Sequence, residues 1–180
     1  MTSVQAYSAD PDGAVLAAVR PLYAEIYAEP PYLEGPTEVG DFVDQWPTRA
    51  AQPGFRVVLA LGGTGTPLGF ALGHALTPDT DWWDGLLDPV PAQVTAEHTG
   101  RTYAMIEIAV RASHRRAGVG RTLHRALLAG RPEQRATLLS RPEAAPAQAA
   151  YAAWGYRCLG RLRPAAEGPV YLAMIRDLPL

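Results

Sequence analysis

A chain of 180 residues with 48% hydrophobic and 19% charged residues has the composition of one globular domain with a sizeable core. Its net charge of −2, the lack of a run of about 18 apolar residues and the single cysteine, Cys158, argue against nucleic-acid binding, a membrane span and an internal disulfide. It contains no lysine, which excludes Schiff-base and P-loop chemistry. The opening MTSVQAYSAD lacks the basic and apolar regions of a signal peptide, so a cytoplasmic location is the default expectation.

Ser3–Tyr7 reads as a first short strand. Asp10 is placed to cap a helix with Pro11 at its first position, and Val15, Val19, Leu22 and Ile26 continue it over residues 11–28, with a kink expected at Pro21. Val39, Phe42, Val43 and Trp46 signal a second helix, with Pro47 expected to stop it. Phe55–Leu61 and Leu68–Leu76 are strand-like. The intervening Gly62–Pro67 predicts a hairpin, because the residues after Pro67 favour a strand over the helix that a dinucleotide fingerprint needs. Residues 77–100 are irregular, and Trp82-Trp83 among four aspartates suits either a packed flap or an acceptor wall.

Tyr103–Val110 is the next strand, and a helix over 118–130 carries Leu123, Leu127 and Leu128 on one face. Arg135–Ser140 is a strand, and Ala147–Trp154 a short helix closed by Gly155. Tyr156–Leu162 and Val170–Arg176 complete an antiparallel end. Cys158 is expected in the core. The element order predicts an α/β chain in one domain, 1–180, with no internal repeat.

Between the strand ending at Val110 and its helix lies Arg115-Arg116-Ala117-Gly118-Val119-Gly120. A glycine turn at a helix start leaves backbone N–H groups unpaired at the positive end of the macrodipole, which suits a phosphate or pyrophosphate. The alternative is a turn that only starts an amphipathic helix. Charge is uneven. Residues 1–100 hold 13 acids against 3 arginines, and 101–180 hold 5 acids against 13 arginines. This fits separate sites for an anion and a cation, or two solvated surfaces. The histidines show no metal-ligand spacing, so no metal is expected.

Two motifs together carry a resemblance. Arg115-x-x-Gly118-x-Gly120 sits between a strand and a helix, and Ala147, Tyr151 and Gly155-Tyr156 follow about 30 residues later with a strand between. In these the chain resembles the GNAT superfamily of acyl-CoA-dependent N-acyltransferases. AEPPYLEG, GF and the Trp pair further resemble an actinobacterial-type subgroup. The resemblance implies a mixed, mostly antiparallel sheet of about six or seven strands flanked by about four helices and splayed at its centre. It implies acetyl-CoA as co-substrate, with Ile108, Ala109 and Val110 along the pantetheine arm. Arg115, Arg116, Ala117, Gly118, Val119, Gly120 and Arg121 would surround the pyrophosphate. The family often has Asn where this chain has Ala144, and Pro146 puts the start of that helix in question.

For chemistry, Glu107 on the central strand is the candidate general base, with His74 as an alternative, and Tyr151 the candidate acid toward the leaving thiolate. A backbone N–H near Val110 is the expected oxyanion donor. Tyr27, Tyr32, Trp82 and Trp83 are candidate acceptor walls. The expected activity is acetyl transfer to the primary amine of a small molecule by direct attack in a ternary complex. The rivals are a non-catalytic acyl-CoA sensor and a protein or peptide N-acetyltransferase. A homodimer is compatible with the resemblance.

Overall fold

The computed structural model describes residues 2–10 and 12–180, so the expected first helical position, Pro11, lies outside the described residues. In chain order the elements are β1 (Ser3–Tyr7), α1 (Ala14–Tyr27), α2 (Pro36–Ala50), β2 (Arg56–Leu61), β3 (Pro67–Ala75), α3 (Ala92–Thr95) and β4 (Thr102–Val110). Then follow α4 (Val119–Leu128), β5 (Arg135–Ser140), α5 (Ala145–Ala153), β6 (Arg157–Leu162) and β7 (Tyr171–Asp177). The seven strands form a sheet in the order β1-β2-β3-β4-β5-β7-β6. Pairing is antiparallel for β1/β2, β2/β3, β5/β7 and β6/β7, and parallel for β4/β5. This is the expected mixed, mostly antiparallel sheet, and β2/β3 is the expected hairpin.

The chain divides into two compact units, Met1–His74 with Met105–Ala129, and Ala75–Ala104 with Gly130–Leu180. In the first unit, α1 buries Val15, Val19, Leu22, Tyr23, Ile26 and Tyr27. Asp10 caps this helix from outside: its two carboxylate oxygens accept the Val15 and Leu16 N–H groups, both at 2.9 Å. The same carboxylate accepts the Trp46 indole N–H at 3.0 Å, which ties α2 to the start of α1. Phe42 stacks on Tyr23 at 4.1 Å between ring centroids and continues through Trp46 to Phe55. Pro47 does not stop α2; it lies inside the helix, whose end is closed by Ala51 N–H on the Pro47 carbonyl. Arg56 donates to the Leu127 and Ala129 carbonyls at 3.0 and 2.7 Å, satisfying the open end of α4.

In the second unit, β5 pairs with β7 from Arg135↔Asp177 to Ser140↔Leu172. Residues 77–100 are mostly irregular and exposed or half-buried, with Trp83 buried, and contain one short helix, α3, that the sequence pattern did not signal. Glu97 Oε1 holds the segment by accepting from Trp83 Nε1, Thr102 Oγ1 and Arg135 at 2.9, 2.8 and 2.7 Å. Further along, Asp88 takes the Arg161 guanidinium and backbone N–H, so its carboxyl sits low, at about 2. The expectation of a buried Cys158 is corrected: on β6 it is exposed. Pro146 does not disturb α5, because it falls in the first turn, where its missing N–H would have no partner.

Candidate active site

β4 supplies the centre of the site. Its first residues, Thr102–Ala104, pair with β5 in the second unit, and Met105–Val110 belong to the first. Its far end is fixed by Arg111, whose N–H donates to the Leu68 carbonyl at 2.9 Å and whose guanidinium donates to the Pro67 carbonyl at 2.8 Å. Two acids, Glu25 on the last turn of α1 and Glu29 just after the helix, hold the chain beyond it. Glu25 pairs with Arg111 at 2.9 Å and Glu29 with Arg115 at 2.8 Å. These are surface pairs worth about 1 kcal/mol or less, so their effect is to set direction rather than to stabilise.

The loop then turns with two residues of positive φ, Arg116 at 60° and Gly118 at 83°, before α4 begins. The first helical hydrogen bond runs from the Thr122 N–H to the Gly118 carbonyl at 3.0 Å. The amides of Val119, Gly120 and Arg121 therefore have no partner inside the helix. A Cβ built on Gly118 would meet nothing within 4 Å, so the main chain there is open to a close ligand. Arg116 and Arg121 are exposed with no ion pair among the described residues, whereas Arg115 is already engaged by Glu29 and by the Val110 carbonyl, to which its Nε donates at 2.9 Å. These residues fit a pyrophosphate: outward amides, an uncluttered glycine and two uncommitted guanidinium groups.

Glu107 lies on β4 with its side chain 16% exposed. Its Oε2 accepts from the Tyr27 hydroxyl at 2.5 Å, and its Oε1 lies 4.0 Å from Arg49 of α2. Burial pushes its carboxyl up to about 7, against the lowering effects of the Arg49 charge and the Tyr27 hydrogen bond; the Glu34 charge adds to the rise. A second phenol–carboxylate pair sits one turn earlier on α1, where Tyr23 donates to Glu34 at 2.5 Å. Burial first, then the charges of Glu107 and Glu34, push that phenol far up. Glu34 also lines a cleft of about 570 Å³ between α1 and α2, together with Arg20, Ala24, Val39, Val43 and Asp44.

The candidate residues therefore have different settings. Ala109 is buried, and Ile108 and Val110 are half-buried beside Glu107. Tyr27 is buried and bonded to Glu107, and Tyr32 packs edge-on against it at 4.9 Å. In the second unit, Trp83 is buried and bonded to Glu97, with Trp82 edge-on to it at 6.5 Å. Tyr151 is buried against Trp154 and Tyr156. Arg49, Tyr23 and Glu34 went unnoticed in the sequence. Only the Tyr23/Tyr27 spacing of one helical turn gave any signal, and it reads equally as core packing. Among the described residues no cluster of His, Cys, Asp or Glu could hold a metal.

The family model described as the acetyltransferase (GNAT) family matches residues 17–156. The chain belongs to the GNAT acetyltransferase family. GNAT enzymes take their acyl group from acetyl-CoA, and this chain is an acetyltransferase of that kind. No curated protein matches the chain. Among solved structures it is similar to the ribosomal-protein-S18-alanine N-acetyltransferase from Escherichia coli, at 16% identity over 100% of this chain and 96% of that one, TM-score 0.65. It is similar to the histone acetyltransferase HPA2 and related acetyltransferase from Corynebacterium glutamicum, at 19% identity over 99% and 98%, TM-score 0.65. It is also similar to a chain of the NatC complex bound to Gag peptide and CoA, at 16% identity over 98% and 99%, TM-score 0.61. At these identities the likeness is one of fold.

Proposed function

We propose that this GNAT chain transfers an acetyl group from acetyl-CoA to the primary amine of a small molecule, with Glu107 as general base. The observation that carries the reading is the Glu107 carboxyl, held on β4 near the cofactor loop and pushed up to about 7. A base with that value is about half ionised at neutral pH and still proton-avid. Acetyl-CoA, when bound, supplies the activated acyl group as a thioester. Arg116, Arg121 and the amides of Val119, Gly120 and Arg121 hold its pyrophosphate, and Ile108–Val110 receive the pantetheine arm. The parallel β4/β5 register, three residues long, supports a splay beyond it. Glu107 takes the proton of the acceptor's ammonium, which frees the lone pair for attack.

The acceptor reading rests on the α1–α2 cleft, whose volume is in the range of small-molecule sites and whose wall carries Glu34 and Asp44. We further infer a single domain, on the continuity of the seven-stranded sheet, and place the chain in the actinobacterial-type subgroup on its AEPPYLEG and Trp-Trp stretches. No described helix is long and apolar enough to cross a membrane, which is compatible with a cytoplasmic location.

Calorimetric titration with acetyl-CoA, dephospho-CoA and pantetheine tests the cofactor half. Micromolar binding that is lost with pantetheine is expected; equal binding of all three would remove the pyrophosphate site. Free-thiol release with a panel of small amines and peptides then tests the transfer and separates it from a sensor. Tyr151 is our candidate for the acid that protonates the leaving thiolate. Tyr151→Phe should lower kcat on the order of tenfold, the modest size reflecting a thiol that already leaves well, with little change in acetyl-CoA affinity. Unchanged kcat would leave Tyr151 with packing alone.

A further inference from the structure

The two oxygens of Glu107 are treated differently. Oε2 accepts a 2.5 Å hydrogen bond from Tyr27, whose ring is itself fixed between Tyr23 at 4.4 Å and Tyr32 at 4.9 Å. Among the described residues Oε1 has only Arg49 NH1, at 4.0 Å, which is beyond hydrogen-bond reach. That nitrogen is buried and has no hydrogen-bond partner among the described residues. The guanidinium is nevertheless held in place: its NH2 donates to Gln45 at 2.7 Å, and its plane lies over Phe42 at 5.5 Å. A buried guanidinium N–H left unpaired beside a carboxylate is costly unless it serves something.

We propose that Tyr27 and Arg49 are positioning residues for Glu107: the phenol fixes Oε2, and the guanidinium keeps Oε1 presented as the oxygen that receives the acceptor's proton. This rests on the reading of Glu107 as the base. The Tyr27 hydrogen bond takes up one lone pair of Oε2 and lowers the basicity of that oxygen, so Oε1, which accepts no hydrogen bond among the described residues, is the better proton acceptor. In the transfer an N–H bond of the acceptor's ammonium breaks and an O–H bond forms at Oε1. A cation and a carboxylate become a neutral amine and a carboxylic acid, and charge balances. Arg49 attracts the carboxylate without occupying Oε1, so it favours the ionised form and leaves the proton's landing place open. The titratable and charged groups that face Glu107 are Tyr27 and Tyr23 from α1, Glu34 from the segment after it and Arg49 from α2. Tyr23 is committed to Glu34 and does not compete for Oε1.

The test uses the full chain labelled with ¹³C at the glutamate carboxyl carbons, titrated by NMR. The Glu107 signal is assigned by its loss in Glu107→Gln. Tyr27→Phe should raise the Glu107 midpoint by about one pH unit, because the hydrogen bond it removes favours the ionised form. Arg49→Gln should raise it comparably, and Arg49→Lys, which keeps the charge, should return it toward the wild-type value. A purely structural role for either residue moves no midpoint. Midpoints that stay put in Tyr27→Phe and Arg49→Gln, with the fold intact by circular dichroism, overturn the proposal. Should Tyr27→Phe not fold, the Arg49 pair decides. Failure here is distinct from failure of the base reading: undiminished thiol release by Glu107→Gln removes the base, whatever the titration shows.

Discussion

Glu107→Gln is expected to lower kcat by about 10² to 10³, the scale of a lost general base, and to leave acetyl-CoA affinity where it was. In the wild type, activity should rise with pH through about 7, where the Glu107 carboxyl loses its proton, and this limb should be missing in the variant. The same substitution has an opposite effect on stability. The carboxyl is raised from 4.5 to about 7 in the native state, so native Glu107 holds its proton more tightly than the unfolded chain does. Its stabilising contribution is full below pH 4.5 and is lost as pH rises through 7. Across that window the cost of ionising it reaches about 3 kcal/mol. Gln cannot ionise, so the variant's stability relative to wild type should improve by about that amount between pH 4.5 and 8, or roughly 6–12 °C in Tm. A variant that keeps the pH limb, or whose stability relative to wild type is the same at both pH values, removes Glu107 as a buried base.

This opposition explains which parts of the site could be read from sequence. The loop from Arg115 to Gly120 is local. Its glycines, its arginines and the helix that follows lie within one stretch, and the turn geometry follows from residue type. The strand and helix order was legible for the same reason, and β5 matches its expected bounds. The environment of Glu107 was not legible. Tyr27 is 80 residues away in sequence, and Arg49 sits on a helix whose apolar periodicity says only which face is buried. Pro47 misled because proline near a helix end reads as a stop, although the turn that follows it survives the loss of one N–H. Cys158 misled because apolar composition does not distinguish the two faces of β6. Long-range contacts create the pKa, and periodicity carries no information about them.

Gly69→Ala should have the second large effect, and it links packing to the cofactor site. A Cβ on Gly69 would fall 2.5 Å from the Ala109 carbonyl oxygen, 3.1 Å from Val110 Cα and 3.3 Å from Leu123 Cδ1. Two of these are main-chain atoms and cannot rotate aside. Leu123 is fully buried, so α4 has no room to yield. The end of β4 is also pinned to β3 through Arg111 on the Leu68 and Pro67 carbonyls. The added methyl must therefore push Ala109 and Val110 outward, at a cost of about 2–3 kcal/mol and a fall in Tm of roughly 4–12 °C. If those two residues receive the pantetheine arm, acetyl-CoA affinity should drop at least about tenfold, because a displacement well under 1 Å already misaligns a close-packed ligand contact. Gly63→Ala is the control: its Cβ would meet nothing within 4 Å, and it should behave as wild type within about 0.5 kcal/mol. Normal stability in Gly69→Ala would contradict the close approach of β3 to β4. Lower stability with unchanged affinity would keep the packing argument and separate Ala109 and Val110 from the cofactor.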